Sequence, residues 1–410
     1  MRKKTILTTI TISVSLVDMA CQFFNDNVSK SIIHGLSDFI MLPWNEQNLS
    51  SFSLHQLTTS QERNEKRSVS IRIPAELHAV IQGYSGDNNF SEKVELMLAT
   101  VLYKPISEHD FKSAKLLRVI GNKFDDRMQN AISHIFSTAN RNWDTSVETC
   151  AGGLGIHVNS NVAEKRIIND DDWCKFNLYR CLKENPAKVA AIALNMEVSR
   201  DFFNELKKKE IIPSKALNYE VAAETLYLNL LSHRNGGNTF LNDANIDMWH
   251  KRLSAIYPVH KQLANTEICE MDLFKILERY RKDQNVLFIV DPPYLDTNHY
   301  TRRTVCTEEA HGKKFDLKEH KKLAKLLRLA KENSGNDFIY FCRITATRRK
   351  NKLNQIVSTE KELHENDNHM RGCIEDLYYG HGFYYKDVEL DNGTIERIIT
   401  SFPFEGACVF

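Results

Sequence analysis

Two stretches near the start of the chain alternate between apolar and polar residues. In the first, the apolar positions from Ile10 to Leu16 are separated by threonine and serine, which indicates a strand rather than the evenly apolar core of a secretory signal. The stretch is also too short and too polar to cross a membrane. We therefore interpret residues 1–66 as a non-targeting extension that ends in a polar linker at 45–66, with no membrane partner.

The second alternating stretch begins a small unit of one strand and two helices at residues 67–105. Its apolar side chains fall on one face of the strand and its polar side chains on the other. Apolar spacing predicts a helix at 75–84 and a second helix that starts after an N-cap at Ser91. A lone strand leaves its edge unpaired, so this unit needs a partner strand.

Residues 67–104 resemble, by this pattern, the ribbon-helix-helix family of DNA-binding dimers. The resemblance implies that two chains pair their strands as a homodimer and insert the ribbon into the major groove of DNA. Ser68, Ser70 and Arg72 would then face the bases. The alternatives are a small α/β appendage and a dimerisation unit that never touches DNA.

A run of branched and aromatic apolar residues, Val286–Val290, predicts a buried strand that ends abruptly. Asp291, Pro292, Pro293 and Tyr294 follow it, and the two prolines end the strand there. Asp291 and Tyr294 should therefore lie beyond its carboxyl end, where open α/β sheets bind ligands. A carboxylate, a proline carbonyl and an aromatic face suit a flat ring that bears an amino group. The alternative is a proline-rich turn without a ligand.

A glycine cluster that contains Gly152 follows Glu148, and a short apolar strand after it ends at Asp170. Glycines let a backbone pass close to a ligand. A carboxylate roughly 20 residues past such glycines is what a ribose diol requires in nucleoside-binding α/β folds. Asp170 is therefore the candidate for the ribose, whereas Asp171 and Asp172 are interpreted as a solvated turn and helix cap.

The composition narrows the class of protein only slightly. A chain of 410 residues predicts two or three domains, and a net charge of +1 confines any DNA surface to a local patch. The nine cysteines are scattered without CxxC pairs, which favours reduced thiols in a cytoplasm and argues against a zinc site.

Taken together, the motifs at 115–405 resemble the DNA adenine-N6 methyltransferase family typified by the Dam methylases. The shared features run in the family's order: a segment ending in Lys123, the glycine motif, Asp170 with a downstream Leu-Tyr, and the Asp-Pro-Pro-Tyr motif. The sequence departs from the family at Val119, where an aromatic residue is usual, and at Thr149-Cys150, where Pro-Phe is usual. These departures should affect donor affinity most.

The resemblance implies a fold and a chemistry. The expected fold is a Rossmann-like α/β sheet with a helical target-recognition insertion at 180–265, beside the small N-terminal strand-helix-helix module. The implied reaction moves the methyl group of S-adenosylmethionine to N6 of a flipped adenine, without a metal. Catalysis would rest on Asp291, Pro292 and Tyr294. The implied donor-binding residues are Val119, Lys123, Glu148, Cys150, Gly152, Asp170, Asp272 and Asp291.

The implied partner is double-stranded DNA. Within the insertion, Arg234 and Asn235 lie in a glycine-containing loop that suits guanine and adenine edges. Basic runs at 313–328 and 343–352 could contact phosphates. Two alternatives stay open: an RNA or protein methyltransferase with the same motif, and a non-catalytic DNA-binding regulator with a degenerate methylase domain.

Overall fold

The structure is a computed structural model. It describes residues 5–42, 66–84, 89–103, 116–117, 123–158, 160–233, 237–295, 315–345, 360–390 and 393–410. These residues form two compact units. The first comprises 1–117, 177–209 and 214–264, and the second comprises 118–176, 210–213 and 265–410.

The first unit begins with a strand-helix-helix pattern that occurs twice. The first copy contains β1 (Thr5–Ser13), α1 (Val14–Phe24) and α2 (Val28–Ile40). The second contains β2 (Lys66–Pro74), α3 (Ala75–Gly83) and α4 (Phe90–Tyr103). β1 and β2 pair antiparallel in a two-stranded ribbon, in a register that joins Thr5 to Pro74 and Ser13 to Lys66.

This pairing corrects the interpretation of residues 1–66 as an extension and linker, because residues 5–42 form a strand and two packed helices. It also supplies the partner of β2 from the same chain, where we had expected it from a second chain. The physical reason is burial: Ile10 and Ile12 of β1 are buried, as are Ile71 and Ile73 of β2. Residues 45–65 of the expected linker lie outside the described residues.

The second helix of this module begins earlier than its sequence suggested. Asn89, rather than Ser91, caps α4: its side-chain oxygen accepts from the backbone N–H of Glu92 at 3.1 Å. The Glu92 carboxylate in turn accepts from the backbone N–H of Asn89 at 3.0 Å, which completes a reciprocal capping box. The Ser91 hydroxyl instead accepts from the backbone N–H of Thr11 on β1.

The remaining elements alternate between strands and helices, apart from a run of helices in the middle. Those up to residue 263 are α5 (Asp126–Thr138), β3 (Trp143–Glu148), β4 (Ala163–Asn169), α6 (Trp173–Glu184), α7 (Pro186–Leu194), α8 (Arg200–Lys208), α9 (Tyr219–Leu230), α10 (Ile246–Leu253) and α11 (Ile256–Leu263). The rest are β5 (Thr266–Cys269), α12 (Leu273–Tyr280), β6 (Val286–Val290), α13 (Leu317–Ser334), β7 (Asp337–Arg343), α14 (Glu360–Tyr378), β8 (Tyr384–Glu389), β9 (Ile395–Thr400) and β10 (Cys408–Val409).

The helical insertion joins the N-terminal module in the first unit. Residues 177–209 and 214–264 cluster with 1–117 rather than with the large sheet. Helix α7 packs against α2 and α3, and the Asn195 side chain donates to the backbone carbonyl of Glu76 at 3.3 Å. The sequence had suggested two separate parts here, whereas the structure has one unit.

The second unit is built on an eight-stranded sheet in the order β10-β8-β9-β7-β6-β3-β4-β5. The five strands from β7 to β5 are parallel to one another, and β9, β8 and β10 extend the sheet antiparallel. The expected α/β class is therefore confirmed, with a mostly parallel sheet that is compatible with a Rossmann-like fold. Among the described helices, none is long and apolar enough to cross a membrane.

The strand order creates a point of reversal between β3 and β6. From β3 the chain proceeds outward through β4 and β5, and then it returns to the other side of β3 to form β6 and β7. Ligands of open α/β sheets bind in the crevice beyond the carboxyl ends of the strands at such a reversal. The strands that border it end at Glu148 and Val290.

Candidate active site

The strand β6 carries Asp291 to the carboxyl edge of the sheet. All five residues of β6 are buried, as the apolar run predicted, because the strand has parallel neighbours on both edges. Pro292 is buried, Pro293 and Tyr294 are half-buried, and 19% of the Asp291 side chain is exposed. The backbone leaves the sheet directly after Val290, so the Asp291 carboxylate lies at the point of strand reversal.

The ammonium group of Lys123 contacts two of these residues. Its Nζ atom donates to the Asp291 carboxylate oxygens at 2.8 and 2.7 Å and to the Tyr294 hydroxyl at 2.7 Å. The Lys123 side chain is 2% exposed. A buried ammonium needs a counter-charge, and Asp291 provides it. The lysine that the resemblance assigned to the donor therefore lies on the carboxylate that it assigned to the substrate.

Gly155 allows Lys123 to reach this position. A Cβ atom on Gly155 would lie 2.9 Å from the backbone nitrogen of Lys123, closer than non-bonded atoms approach. The Gln129 side chain on α5 bridges the segments of Lys123 and Gly155, because its amide donates to the backbone carbonyls of both residues. The glycine cluster thus serves a close approach of two backbones.

A second carboxylate, Glu396 on β9, also lies close to the lysine. Its Oε2 atom is 3.6 Å from Lys123 Nζ, and the side chain is 8% exposed. Burial raises the pKa of Asp291 to about 6, the Lys123 charge opposes this rise, and the Glu396 charge adds to it. Two carboxylates therefore share one ammonium in a buried cluster.

Asp170 lies beside the glycine turn, as its spacing predicted. One of its oxygens accepts from the backbone N–H of Gly152 at 2.9 Å, and the other accepts from Asp172 at 3.0 Å. Lys175 approaches it at 3.4 Å. Gly152 has a φ of +50°, a left-handed conformation that suits glycine. The Lys175 ammonium donates to both oxygens, at 3.4 and 3.5 Å, so each oxygen has two donors and a ligand hydroxyl would take the place of the long contacts to Lys175.

Glu148 is a buried carboxylate at the end of β3, directly beside the point of reversal. Burial raises its pKa to about 8, with Arg166 acting in the opposite direction. Its Oε2 atom is buried and makes no hydrogen bond, and the nearest ring nitrogen of His157 is 4.0 Å away. A buried polar atom without a partner is rare in folded proteins, and it suits a site that accepts a ligand's donor.

The other expected donor-binding residues lie along the same edge of the sheet. Cys150 is half-buried, and burial raises the pKa of its thiol. Asp272 is exposed and caps α12, since its carboxylate accepts from the backbone N–H of Phe274 at 2.9 Å. The Asn169 side chain ties this segment to the glycine turn by donating to the carbonyls of Thr149 and Met271, each at 2.9 Å.

One functional candidate, Glu396, escaped sequence reasoning, and Arg343 was expected only as part of a basic run that contacts phosphates. The guanidinium of Arg343, at the end of β7, lies 5.9 Å from the centre of the Tyr294 ring, and its Nε and Nη2 atoms are buried without hydrogen bonds. In the sequence, each of these residues is only a charged residue beside an apolar strand. The pairing of β7 with β9 puts Arg343 opposite Glu396, and the sequence alone does not predict that pairing.

The DNA-facing candidates are only partly described. Arg234 and Asn235, as well as Val119 of the donor set, lie outside the described residues, and so do residues 313–314 of the first basic run and 346–352 of the second. Ser70 and Arg72 lie on the exposed face of the ribbon, where the Ser70 hydroxyl is 3.1 Å from that of Thr9. In the other unit, α13 exposes several cations on one helix: Lys318, Lys321, Lys322 and Lys325.

Within the described ranges, no group of three or more His, Cys, Asp or Glu side chains is arranged to hold a metal ion. Every cysteine in the same ranges is a free thiol. No protein-family model matches the chain, and no curated protein matches it.

Proposed function

We propose that this protein is a methyltransferase that moves a methyl group from S-adenosylmethionine to the exocyclic N6 of adenine in DNA. The observation that carries the proposal is the position of Asp291. This largely buried carboxylate follows a buried parallel strand at the point of strand reversal, next to the Glu148 carboxylate on the neighbouring strand, whose Oε2 atom makes no hydrogen bond. That arrangement suits two ligands side by side.

The residues along β3 and β4 fit the methyl donor, which supplies an electrophilic methyl group on a sulfonium when bound. Gly152 lets the backbone pass close to a ligand, and Asp170 would accept from a ribose diol in place of its long contacts to Lys175. The unpartnered Oε2 of Glu148 accepts a hydrogen bond in a buried setting. A cationic ligand would lower the pKa of Glu148 from about 8, because an opposite charge favours the ionised form.

The residues after β6 fit an amino-bearing ring. The lone pair of the adenine amine is delocalised into the ring, so the amine is a weak nucleophile. Asp291 and the Pro292 carbonyl would accept its two N–H groups and return electron density to the nitrogen. Tyr294 would stack on the ring, which contributes roughly 1–3 kcal/mol towards the cost of flipping the base. Positioning and electrostatics carry the rate.

The decisive experiment is incubation with unmethylated duplex DNA and labelled donor, followed by mapping of methyladenine. We expect transfer by the wild type and none by Asp291→Ala, which should still bind DNA. Asp283→Ala is a matched control, since this exposed aspartate precedes β6 at the opposite end of the strand. An active Asp291→Ala protein, or a wild type that methylates no adenine-containing DNA, would overturn the proposal. Parallel incubations with RNA and with protein test the other acceptors of this motif.

A non-catalytic DNA-binding regulator is the second candidate. The observation in its favour is the ribbon, whose two strands come from one chain and pair over nine residues each. A complete ribbon needs no second copy to present Ser70 and Arg72 on its exposed face. Equilibrium binding of labelled S-adenosylmethionine separates the two functions, because a regulator with a degenerate methylase unit should bind none.

A further inference from the structure

The position of Lys123 raises a difficulty for the proposed reaction. Its ammonium contacts both oxygens of Asp291, at 2.8 and 2.7 Å. A carboxylate that faces an ammonium has its charge neutralised, so it returns little electron density to an amine that binds beside it. The ammonium must therefore shift away from Asp291 when the substrate amine arrives.

A buried ammonium does not shift without a second counter-charge. Lys123 is 2% exposed, and an unpaired charge in such a place costs several kcal/mol. The aromatic rings of Tyr294 and Phe341, whose centres lie 5.2 and 5.4 Å from Nζ, stabilise a cation only partly. Glu396 is the other carboxylate that pairs with this ammonium in the described residues.

Glu396 is placed to accept a hydrogen bond from the Lys123 ammonium. Its Oε2 atom is buried without a hydrogen bond, and it lies 3.6 Å from Lys123 Nζ. The ammonium needs only to close that distance to about 2.8 Å to form a charge-assisted hydrogen bond. Glu396 is also held rigidly, because β9 lies between β7 and β8 in the sheet.

We propose that Glu396 is a positioning residue that takes up the Lys123 ammonium when Asp291 turns to the substrate amine. The inference rests on the proposed function. It assigns Lys123 two positions, one on Asp291 in the resting protein and one on Glu396 with the substrate bound. The carboxylate of Glu396 acts through the lysine and does not touch the substrate.

The test compares Glu396→Gln with the wild type. We expect kcat to fall about tenfold or more, within the range for coupled neighbours, while KM for DNA and the affinity for labelled donor stay unchanged. The acid limb of the kcat profile should move to lower pH, because the Glu396 charge raises the pKa of Asp291. Glu375→Gln is the control. Glu375 lies on α14 and pairs with Arg397, the residue that follows Glu396 on β9, rather than with Lys123.

A double variant separates this role from a merely structural one. In a Lys123→Met protein the ammonium is absent, so adding Glu396→Gln should cost no further activity. If Glu396→Gln alone fails to fold, the double variant can still be compared with Lys123→Met, because it lacks both the Lys123 ammonium and the Glu396 carboxylate. The proposal would be overturned if the losses of the two single variants multiplied in the double variant, or if Glu396→Gln kept the wild-type kcat. Either result would leave the methyltransferase function in place. A wild type that transfers no methyl group to any adenine would overturn both.

Discussion

The Asp291 carboxylate lies 2.7 Å from the ammonium of Lys123, although the two residues are 168 positions apart in the sequence. The contact connects the strand end that suits a substrate with the segment that packs on the glycine turn. A change on one side should therefore alter the chemistry of the other.

The activity should depend on pH through Asp291. Burial raises the pKa of this carboxyl to about 6, and its ionised form is the one that returns electron density to the substrate amine. We expect kcat to fall as the pH drops through about 6. A pH profile of single-turnover methyl transfer measures this directly, and a flat profile between pH 5 and 7 would contradict it.

Replacing Lys123 by methionine should move this acid limb upward. The lysine charge lowers the pKa of Asp291, so its loss leaves burial and Glu396 unopposed and raises that pKa further. The same pH profile, measured for Lys123→Met, should reach its plateau at higher pH than the wild type. Lys282→Met is the control, because Lys282 is exposed before β6 at the far end of the strand. A limb that does not move would mean that the two groups are uncoupled in solution.

Glu148 should make the stability of the free protein depend on pH. Its pKa rises from an ordinary 4.5 to about 8 on folding, so the folded state binds more protons than the unfolded state between these values. The free energy of unfolding should therefore decrease as the pH rises through this window. Urea unfolding at pH 5 and pH 8.5 should show that Glu148→Gln loses this part of the decrease, whereas the exposed-site variant Glu164→Gln keeps it.

Gly155→Ala should disturb the site by displacing Lys123. The added Cβ would lie 2.9 Å from the backbone nitrogen of Lys123, and overpacking of this kind costs about 1–3 kcal/mol. We expect a lower melting temperature and slower methyl transfer. Gly372→Ala on α14 meets nothing within 4 Å and should be neutral or stabilising. Equal behaviour of the two variants would show that the close approach is unimportant.

The ribbon should contribute to DNA affinity through Arg72. This residue is an exposed cation on the face that also carries Ser70 and Thr9. If it contacts a phosphate, Arg72→Ala should weaken duplex binding and reduce the salt slope by about 1. Lys30→Ala, at an exposed ion pair on α2, is the control. Fluorescence anisotropy at several salt concentrations distinguishes the variants. An unchanged salt slope for Arg72→Ala would show that this face of the ribbon does not contact DNA.

Local patterns in the sequence determined several of the individual elements. The apolar run before Asp291 predicted β6, the alternation at 67–74 predicted β2, and the strand ending at Asp170 is β4. Asp172 is a helix cap, as expected, since it accepts from the backbone N–H of Cys174. These features depend on side-chain spacing and backbone chemistry within a few residues, which is information that the sequence contains directly.

Only the tertiary structure decided which distant segments meet. The alternation from Ile10 predicted a strand, but the strand ends at Ser13 and the residues from Val14 form α1. The partner of this strand lies some sixty residues later in the same chain, with Thr9 opposite Ser70. Likewise, Lys123, Asp291 and Glu396 form one cluster because the strand order puts β6 two strands from β9. Contacts of this kind depend on which buried surfaces fit together across the whole sheet. No local spacing encodes them, so their chemistry becomes visible only once the strands are in order.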